Sequence, residues 1–197
     1  ATSESTVEGN NAIEHGSLRT NLIENSWNDG ATGIAHDQQN NGANNGMGAA
    51  TAVHADVTGG ENIENEVSAL STADDNDSDY DGKHDPDRKN EILDTMNGFM
   101  GSATLQQNNG ANNAINAATG LDGVDGDLDN TWQKVEATAD TEGNDAIDTS
   151  SVRDNVIESS LNGAKGVFTA QQNNGNVNAI SAATAAAGIT GNAGELT

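Results

Sequence analysis

A threefold repeat limits the possible folds of this chain more than any other feature of its sequence. The block Gln-Gln-Asn-Asn-Gly begins at Gln38, Gln106 and Gln171, and Ala-Ala-Thr follows eleven residues after each start. The copies also share an upstream Arg-x-Asn-x-Ile pattern, and the first copy has one extra residue near Asp29. A fixed internal period indicates similar structural units that lie one on the next.

The repeat divides the chain into seven parts. The repeats cover 19–53, 88–121 and 153–187, and between them we predict acidic linkers over 54–87 and 122–152. An N-terminal segment (1–18) and a C-terminal tail (188–197) complete the chain. The amide-rich segments 38–53, 106–121 and 171–194 contain no Asp, Glu, Lys or Arg, so charge is confined to other parts.

The composition excludes an ordinary hydrophobic core, because only 33% of the residues are hydrophobic and 3% are aromatic. Stacked β-strands need less apolar bulk, since Asn and Gln form hydrogen-bonded ladders and small residues pack closely. We therefore predict an all-β fold, a repetitive β-solenoid or β-arcade with cross-β stacking, built from three units of about 35 residues. A disordered low-complexity chain and short helices over 155–161 and 179–187 are the alternatives. Position-specific repetition argues against disorder, and frequent Gly and Asn argue against helices.

Each copy supplies the same side chains to the predicted stack. The ladder residues, which would also mediate polymerisation, are Gln38, Gln39, Asn40, Asn41, Gln106, Gln107, Asn108, Asn109, Gln171, Gln172, Asn173 and Asn174. Two apolar columns are expected, one of Ile23, Ile92 and Ile157 and one of Trp27, Met96 and Leu161. Tight corners, where a positive φ or a close backbone approach favours glycine, are expected at Gly30, Gly33, Gly42, Gly98, Gly101, Gly110, Gly163, Gly166 and Gly175.

The ends of such a stack expose unpaired strand edges. Soluble monomers protect edges with charge, whereas the last unit here ends in a neutral segment, 187–194. We therefore expect the third unit to stack on the first unit of another copy. A head-to-tail contact that does not close generates a filament.

The repeat resembles those of secreted bacterial functional amyloids, the curli and Fap families. The segments Ser160-Leu-Asn-Gly163, Gly166-Val167 and Gln171-Gln172-Asn173 look like the Fap fibre repeat. The resemblance implies a fibre-forming extracellular matrix subunit without catalytic activity, in a biofilm matrix or a surface fibre.

A calcium loop is a further expectation. Asp77, Asp79, Asp81 and Asp85 have the alternating spacing of oxygen ligands, with Gly82 allowing a turn. A solvated acidic stretch is the plain alternative. No cofactor is otherwise required, and a monomeric, calcium-stabilised β-solenoid adhesin or binding domain is the alternative function.

Charge and composition exclude other classes. A formal net charge of −24 argues against nucleic-acid binding, and no apolar run is long enough for a membrane span. No catalytic arrangement stands out, so we expect no enzyme. The partners are expected to be the chain itself and matrix or cell-surface components. The acidic balance and the start at Ala1 favour an extracellular protein whose signal peptide has been removed.

Overall fold

The computed structural model describes residues 1–14, 18–57, 63–80, 87–124, 131–148 and 152–189. Every regular element in these ranges is a β-strand, and the strands form five parallel sheets of three strands each. The predicted all-β, repetitive fold is confirmed at this level.

Each third of the chain contributes one strand to every sheet. The first unit holds β1 (Thr2–Glu8), β2 (Asn11–Glu14), β3 (Arg19–Glu24), β4 (Thr32–Asn40) and β5 (Gly46–Val57). The second unit holds β6 (Ile63–Asp74), β7 (Asp77–Tyr80), β8 (Asp87–Leu93), β9 (Met100–Asn108) and β10 (Ala114–Val124). The third unit holds β11 (Thr131–Glu142), β12 (Asp145–Asp148), β13 (Val152–Glu158), β14 (Lys165–Asn173) and β15 (Ala179–Ile189).

The second unit lies in the middle of every sheet. We number the sheets in chain order: sheet I is β1-β6-β11, sheet II β2-β7-β12, sheet III β3-β8-β13, sheet IV β4-β9-β14 and sheet V β5-β10-β15. We call the two open ends of the stack the unit-1 end and the unit-3 end.

Strand pairing follows the repeat. Gln106 pairs with Gln38 on one side and with Gln171 on the other. The extra residue of the first unit is accommodated in the turn between β3 and β4, where Asp29 has a φ of 60°. Like residues therefore lie side by side through most of the stack.

The segments predicted as acidic linkers form strands of sheets I and II, which corrects that prediction. Residues 54–87 contain β6 and β7, residues 122–152 contain β11 and β12, and the N-terminal segment contains β1 and β2. The reason is a period-two pattern: in β11, Val135 and Ala137 pack inward, whereas Lys134 and Glu136 are exposed. The repeating unit is thus longer than the predicted one. Residues 190–197 of the tail lie outside the described residues.

The sheets form layers in the order I, V, IV, III. Gln107 of sheet IV reaches the main chain of sheet III at Val156, and Gln106 reaches sheet V at Gly48. Ser71 of sheet I bonds Ile115 O of sheet V. Sheet II lies beside the turn between sheets IV and V, where Asn112 Nδ2 donates to Asn76 O and Asp145 O.

The layers are staggered by a fraction of a unit. The donor of β4, Gln39 Nε2, bonds Glu91 O in β8, one unit further on. Gln171 Nε2 in β14 bonds Asn116 O in β10, one unit back. Each strand of sheet IV therefore packs on the following unit of sheet III and on the preceding unit of sheet V.

Two thin apolar clusters fill the spaces between layers. Between sheets III and IV lie Ala35, Ile92, Met96, Phe99, Ala103 and Leu105, all buried. Between sheets V and I the cluster is Ala50, Val67, Ala69 and Ala118. The small side chains of the second cluster let the sheets approach closely: a Cβ on Gly48 would contact Ser3 Oγ and Ser71 Oγ.

Candidate functional site

The paired glutamines form two continuous ladders along sheet IV. Gln38 Nε2 donates to Gln106 Oε1 over 2.6 Å, and Gln106 Nε2 donates to Gln171 Oε1 over 2.7 Å. In the neighbouring row, Gln107 Nε2 donates to Gln39 Oε1 over 2.8 Å and Gln172 Nε2 to Gln107 Oε1 over 2.7 Å. The two ladders face opposite sides of the sheet, because side chains alternate along a strand.

Each glutamine ladder also ties sheet IV to an adjacent layer. Gln106 and Gln107 are fully buried, and each donates to a ladder oxygen and to a main-chain carbonyl. A buried carboxamide must satisfy its hydrogen-bonding groups, so this double use removes the cost of burying it.

The asparagines that follow divide into two roles. Asn40, Asn108 and Asn173 continue the ladder at longer distances, 3.3 and 3.1 Å. Asn41 and Asn109 instead cross to sheet III, where their Nδ2 atoms donate to Lys89 O and Asp154 O. The fourth predicted ladder position, which includes Asn174, therefore links layers rather than forming a ladder within the sheet.

Further ladders lie at positions outside the predicted set. Asn90 Nδ2 donates to Asn155 Oδ1, and Asn21 Nδ2 to Asn90 Oδ1. Asn76 bonds Asn10 and Asn144 in the same way, and Asn76 is fully buried. In the sequence, the row of Asn10, Asn76 and Asn144 is marked by Gly-Asn at 9–10 and 143–144 and by Asp75-Asn76 at the matching place in the second unit.

The two predicted apolar columns lie in neighbouring rows. Ile92 pairs with Ile23 and Ile157 in sheet III and is fully buried between them. The second column, in the turn after sheet III, forms only in part, because Met96 is buried and Leu161 packs against its cluster whereas Trp27 is exposed. Trp27, Met96 and Leu161 have φ values of 56°, 59° and 61°. Left-handed backbone at non-glycine residues is uncommon, and it recurs here at equivalent positions.

The predicted glycine corners have two different causes. Gly30, Gly98 and Gly163 have φ near +70°, and Gly33, Gly101 and Gly166 have φ between 126° and 144°. Gly42, Gly110 and Gly175 lie outside the left-handed region, and there the cause is a close approach. A Cβ on Gly42 would overlap Gly110 O, and one on Gly110 would overlap Gly175 O.

A row of arginines closes the turn between sheets IV and V. Arg88 is fully buried, and its Nη1 donates to Asn109 O over 3.2 Å. Arg19 bonds Asn41 O and Arg153 bonds Asn174 O in the same way. Arg153 also forms an ion pair with Asp148. The shared Arg and the shared amide block are thus parts of one contact.

The unit-1 end contains an unusual ionisable pair. Asp37 is 7% exposed, and Trp27 Nε1 donates to its Oδ1 over 3.3 Å. Burial raises the pKa of Asp37, while the Trp27 bond and the charge of His36 oppose that shift. His36 keeps an exposed side, but its partial burial lowers its pKa, and the charge of nearby Asp37 opposes that shift.

The predicted calcium ligands are only partly described. Asp77 and Asp79 lie in β7, and Asp81 and Asp85 fall outside the described residues. Asp77, Asp79 and Asp145 line a shallow groove on sheet II together with Ile13 and Ile147. Within the described ranges, no three Asp, Glu or His side chains are grouped closely enough to hold a metal ion.

The two ends of the stack expose opposite faces of sheet IV. On β4, the side chains directed toward sheet V are exposed, among them Ile34, His36 and Gln38. On β14, those directed toward sheet III are exposed, among them Ala170 and Gln172. The stagger causes this difference, because each end lacks the neighbouring strand that covers the same position inside the stack.

Comparison of the chain with protein-family models, with curated proteins and with solved structures gave no match. Across the described ranges there is no helix with the length and apolarity needed to cross a membrane.

Proposed function

We propose that this chain is a structural subunit that polymerises head to tail into an extracellular filament. In this proposal the five sheets are the faces of one β-solenoid, with five strands in each coil. The subunit resembles functional-amyloid fibre proteins of a biofilm matrix or surface fibre and has no catalytic role.

One observation carries the proposal: in the described part of the chain, the outer strands of all five sheets have an unpaired edge, and in sheets III, IV and V they repeat much of the residue pattern of the central strand. In sheet IV, Gln38 and Gln171 at the ends match the buried Gln106 between them. A second copy placed on either end would therefore meet the partners that the second unit already meets. Unpaired edges of this kind are templates for further strand addition.

The charge distribution favours stacking through sheets IV and V. The two central strands of sheets IV and V carry only one charged residue, Asp122, within 100–124, so like charges do not stack there. The acidic side chains are concentrated in sheets I, II and III, where solvent and salt reduce their repulsion. A negative outer surface favours separation of neighbouring filaments and suits a location outside the cell.

Electron microscopy and fibre diffraction of the purified protein test the proposal. We expect unbranched filaments with a meridional reflection near 4.8 Å and, because each chain adds three layers, an axial repeat of about 14 Å. A chain that stays monomeric in sedimentation at high concentration, with and without calcium, would contradict it. Monomer whose melting temperature rises with calcium would instead favour the adhesin alternative.

A further inference from the structure

We propose that copies join in one fixed, interlocked register, in which the Gly42 carbonyl of one copy lies against the Gly175 Cα of the preceding copy. The inference rests on the proposed head-to-tail assembly and specifies its interface. The two surfaces are the exposed sheet III-facing side of β14 at the unit-3 end and the exposed sheet V-facing side of β4 at the unit-1 end.

The glycines of the turn after the Gln-Gln-Asn-Asn block indicate the register. A Cβ on Gly42 would overlap Gly110 O, and a Cβ on Gly110 would overlap Gly175 O. At Gly175, the three nearest atoms to such a Cβ all belong to the side chains of Asn173 and Asn178. The third glycine thus lacks the carbonyl that covers the other two, and the next Gly42 would supply it.

A second set of glycines indicates the same register from the unit-1 end. A Cβ on Gly166 would overlap Gly101 O, and one on Gly101 would overlap Gly33 O. A Cβ on Gly33 would meet nothing within 4 Å. The open position now lies at the unit-1 end, where Gly166 of the preceding copy fits.

The stagger supplies hydrogen-bond partners across the junction. Inside the stack, Gln106 Nε2 donates to Gly48 O and Gln171 Nε2 to Asn116 O. Ser181 is the third member of that row, so its carbonyl in the preceding copy is the acceptor for Gln38 Nε2. The corresponding acceptor for Gln172 Nε2 is Leu22 O of the following copy, since Leu22 is in register with Glu91 and Val156.

Apolar surface at the unit-1 end also fits a second copy of the chain. Ile34 is 45% exposed, whereas its counterpart Ser102 in the second unit is buried. A strand of sheet V from the preceding copy would cover Ile34 as β5 covers Ser102. A second copy is therefore the occupant that matches the backbone, the amides and the apolar contact together.

Gly175→Ala tests the junction. In the isolated chain the added methyl group must displace only the Asn178 amide, so the monomer should fold with wild-type circular dichroism. In the filament the methyl group would meet the Gly42 carbonyl, and we expect subunit addition onto the variant's unit-3 end to slow by about tenfold or more. Growth from fluorescently labelled wild-type seeds, followed at each end by microscopy, measures this rate.

The variant should also act as a cap of one polarity. Its unit-1 end is unchanged, so it can add once to a wild-type unit-3 end and then stop growth there. Wild-type monomer containing a minor fraction of Gly175→Ala should therefore lose growth at one end and keep it at the other. If each end instead grows at the rate that it has with wild-type monomer alone, the proposed register is overturned.

A second pair of variants covers the case in which Gly175→Ala destabilises the monomer. Gln172→Glu places a charge at the proposed junction, and Met100→Glu places the same charge on an exposed side chain of the central strand β9, between Thr32 and Lys165 of the same copy. We expect only Gln172→Glu to slow elongation, and equal rates would overturn the inference. If wild-type protein forms no filaments, the proposed function fails and this inference fails with it.

Discussion

Asp37 is a buried residue at which this chain departs from its own repeat. It occupies in the first unit the position that Leu105 and Ala170 hold in the other two. Burial raises its pKa, so the folded state binds a proton more readily than the unfolded chain. The stabilisation from protonating Asp37 is complete below its ordinary value of 3.8 and is lost as the pH rises through the raised value.

Asp37→Leu should therefore stabilise the protein at neutral pH. Leucine restores the apolar residue of the second unit and removes a buried charge, so we expect the free energy of unfolding to rise by about 1–3 kcal/mol at pH 7. The gain should shrink as the pH falls through the raised pKa. Urea unfolding between pH 3 and pH 8 measures it, with Asp140→Asn as the control that removes an exposed charge. A loss of stability at pH 7 would refute this account.

Gly110→Ala should prevent correct stacking of the units. Its φ is outside the left-handed region, so the expected cause is the overlap of a Cβ with Gly175 O rather than backbone strain. Displacement of main chain in a packed stack should cost more than about 3 kcal/mol. Thermal unfolding of Gly110→Ala beside Gly175→Ala separates the two effects, because both share the Asn amide contact and only Gly110 has the carbonyl. Equal melting temperatures would contradict the close approach.

At the scale of the strand, the amide ladders replace a conventional core. Gln107 accepts from Gln172 and donates to Gln39 and to Val156 O. Removing the carboxamide leaves buried groups without partners, and each such group costs about 1–3 kcal/mol. The central strand should therefore tolerate substitution far less than the end strands.

Gln107→Leu and Gln172→Leu make this comparison at equivalent positions. We expect Gln107→Leu, which unpairs the Gln39 and Val156 acceptors, to lower the free energy of unfolding by about 2–4 kcal/mol, and Gln172→Leu, which unpairs only Gln107 Oε1, by about 1 kcal/mol. Urea unfolding of the monomeric proteins gives both values. Similar losses would mean that burial of the amide does not determine its contribution.

Over the whole molecule, repulsion among the acidic side chains should oppose folding. The formal net charge is −24, and Asp74 lies in register between Glu8 and Glu142 on sheet I. The substitution Asp74→Asn would keep an oxygen that accepts from the Glu142 N–H and would remove the repulsion between the three carboxylates. Wild-type stability should accordingly rise with salt, since like charges repel within a Debye length of about 10 Å at 0.1 M.

Asp74→Asn tests the local part of this effect. At low ionic strength we expect the variant to melt at a higher temperature than the wild type. Its free energy of unfolding should be larger by about 0.5–1 kcal/mol, and this difference should disappear in molar salt. Asp140→Asn is the matched control, because Asp140 pairs with the uncharged Thr72. An equal gain from both variants would attribute the effect to net charge alone.

Much of the stack was predictable because identical residues recur at fixed spacing. The glutamine rows, the Ile23, Ile92 and Ile157 column and the positive-φ glycines all lie at positions that the repeat marks. Sheets I and II were missed because their acidic side chains alternate with small apolar ones, and net charge concealed the period of two. Of the predicted calcium ligands, Asp77 and Asp79 lie in strand β7, and Asp81 and Asp85 lie outside the described residues, so the calcium site stays a prediction.

The sequence by itself determined that like residues would lie on like residues, because parallel strands in register place equal sequence positions side by side. Tertiary structure alone decided how the layers are offset. The stagger depends on how glutamine side chains reach carbonyls in adjacent sheets and on where glycine Cα atoms meet neighbouring carbonyls. Those distances arise only when all five strands of a unit are folded around one another, so no single repeat encodes them.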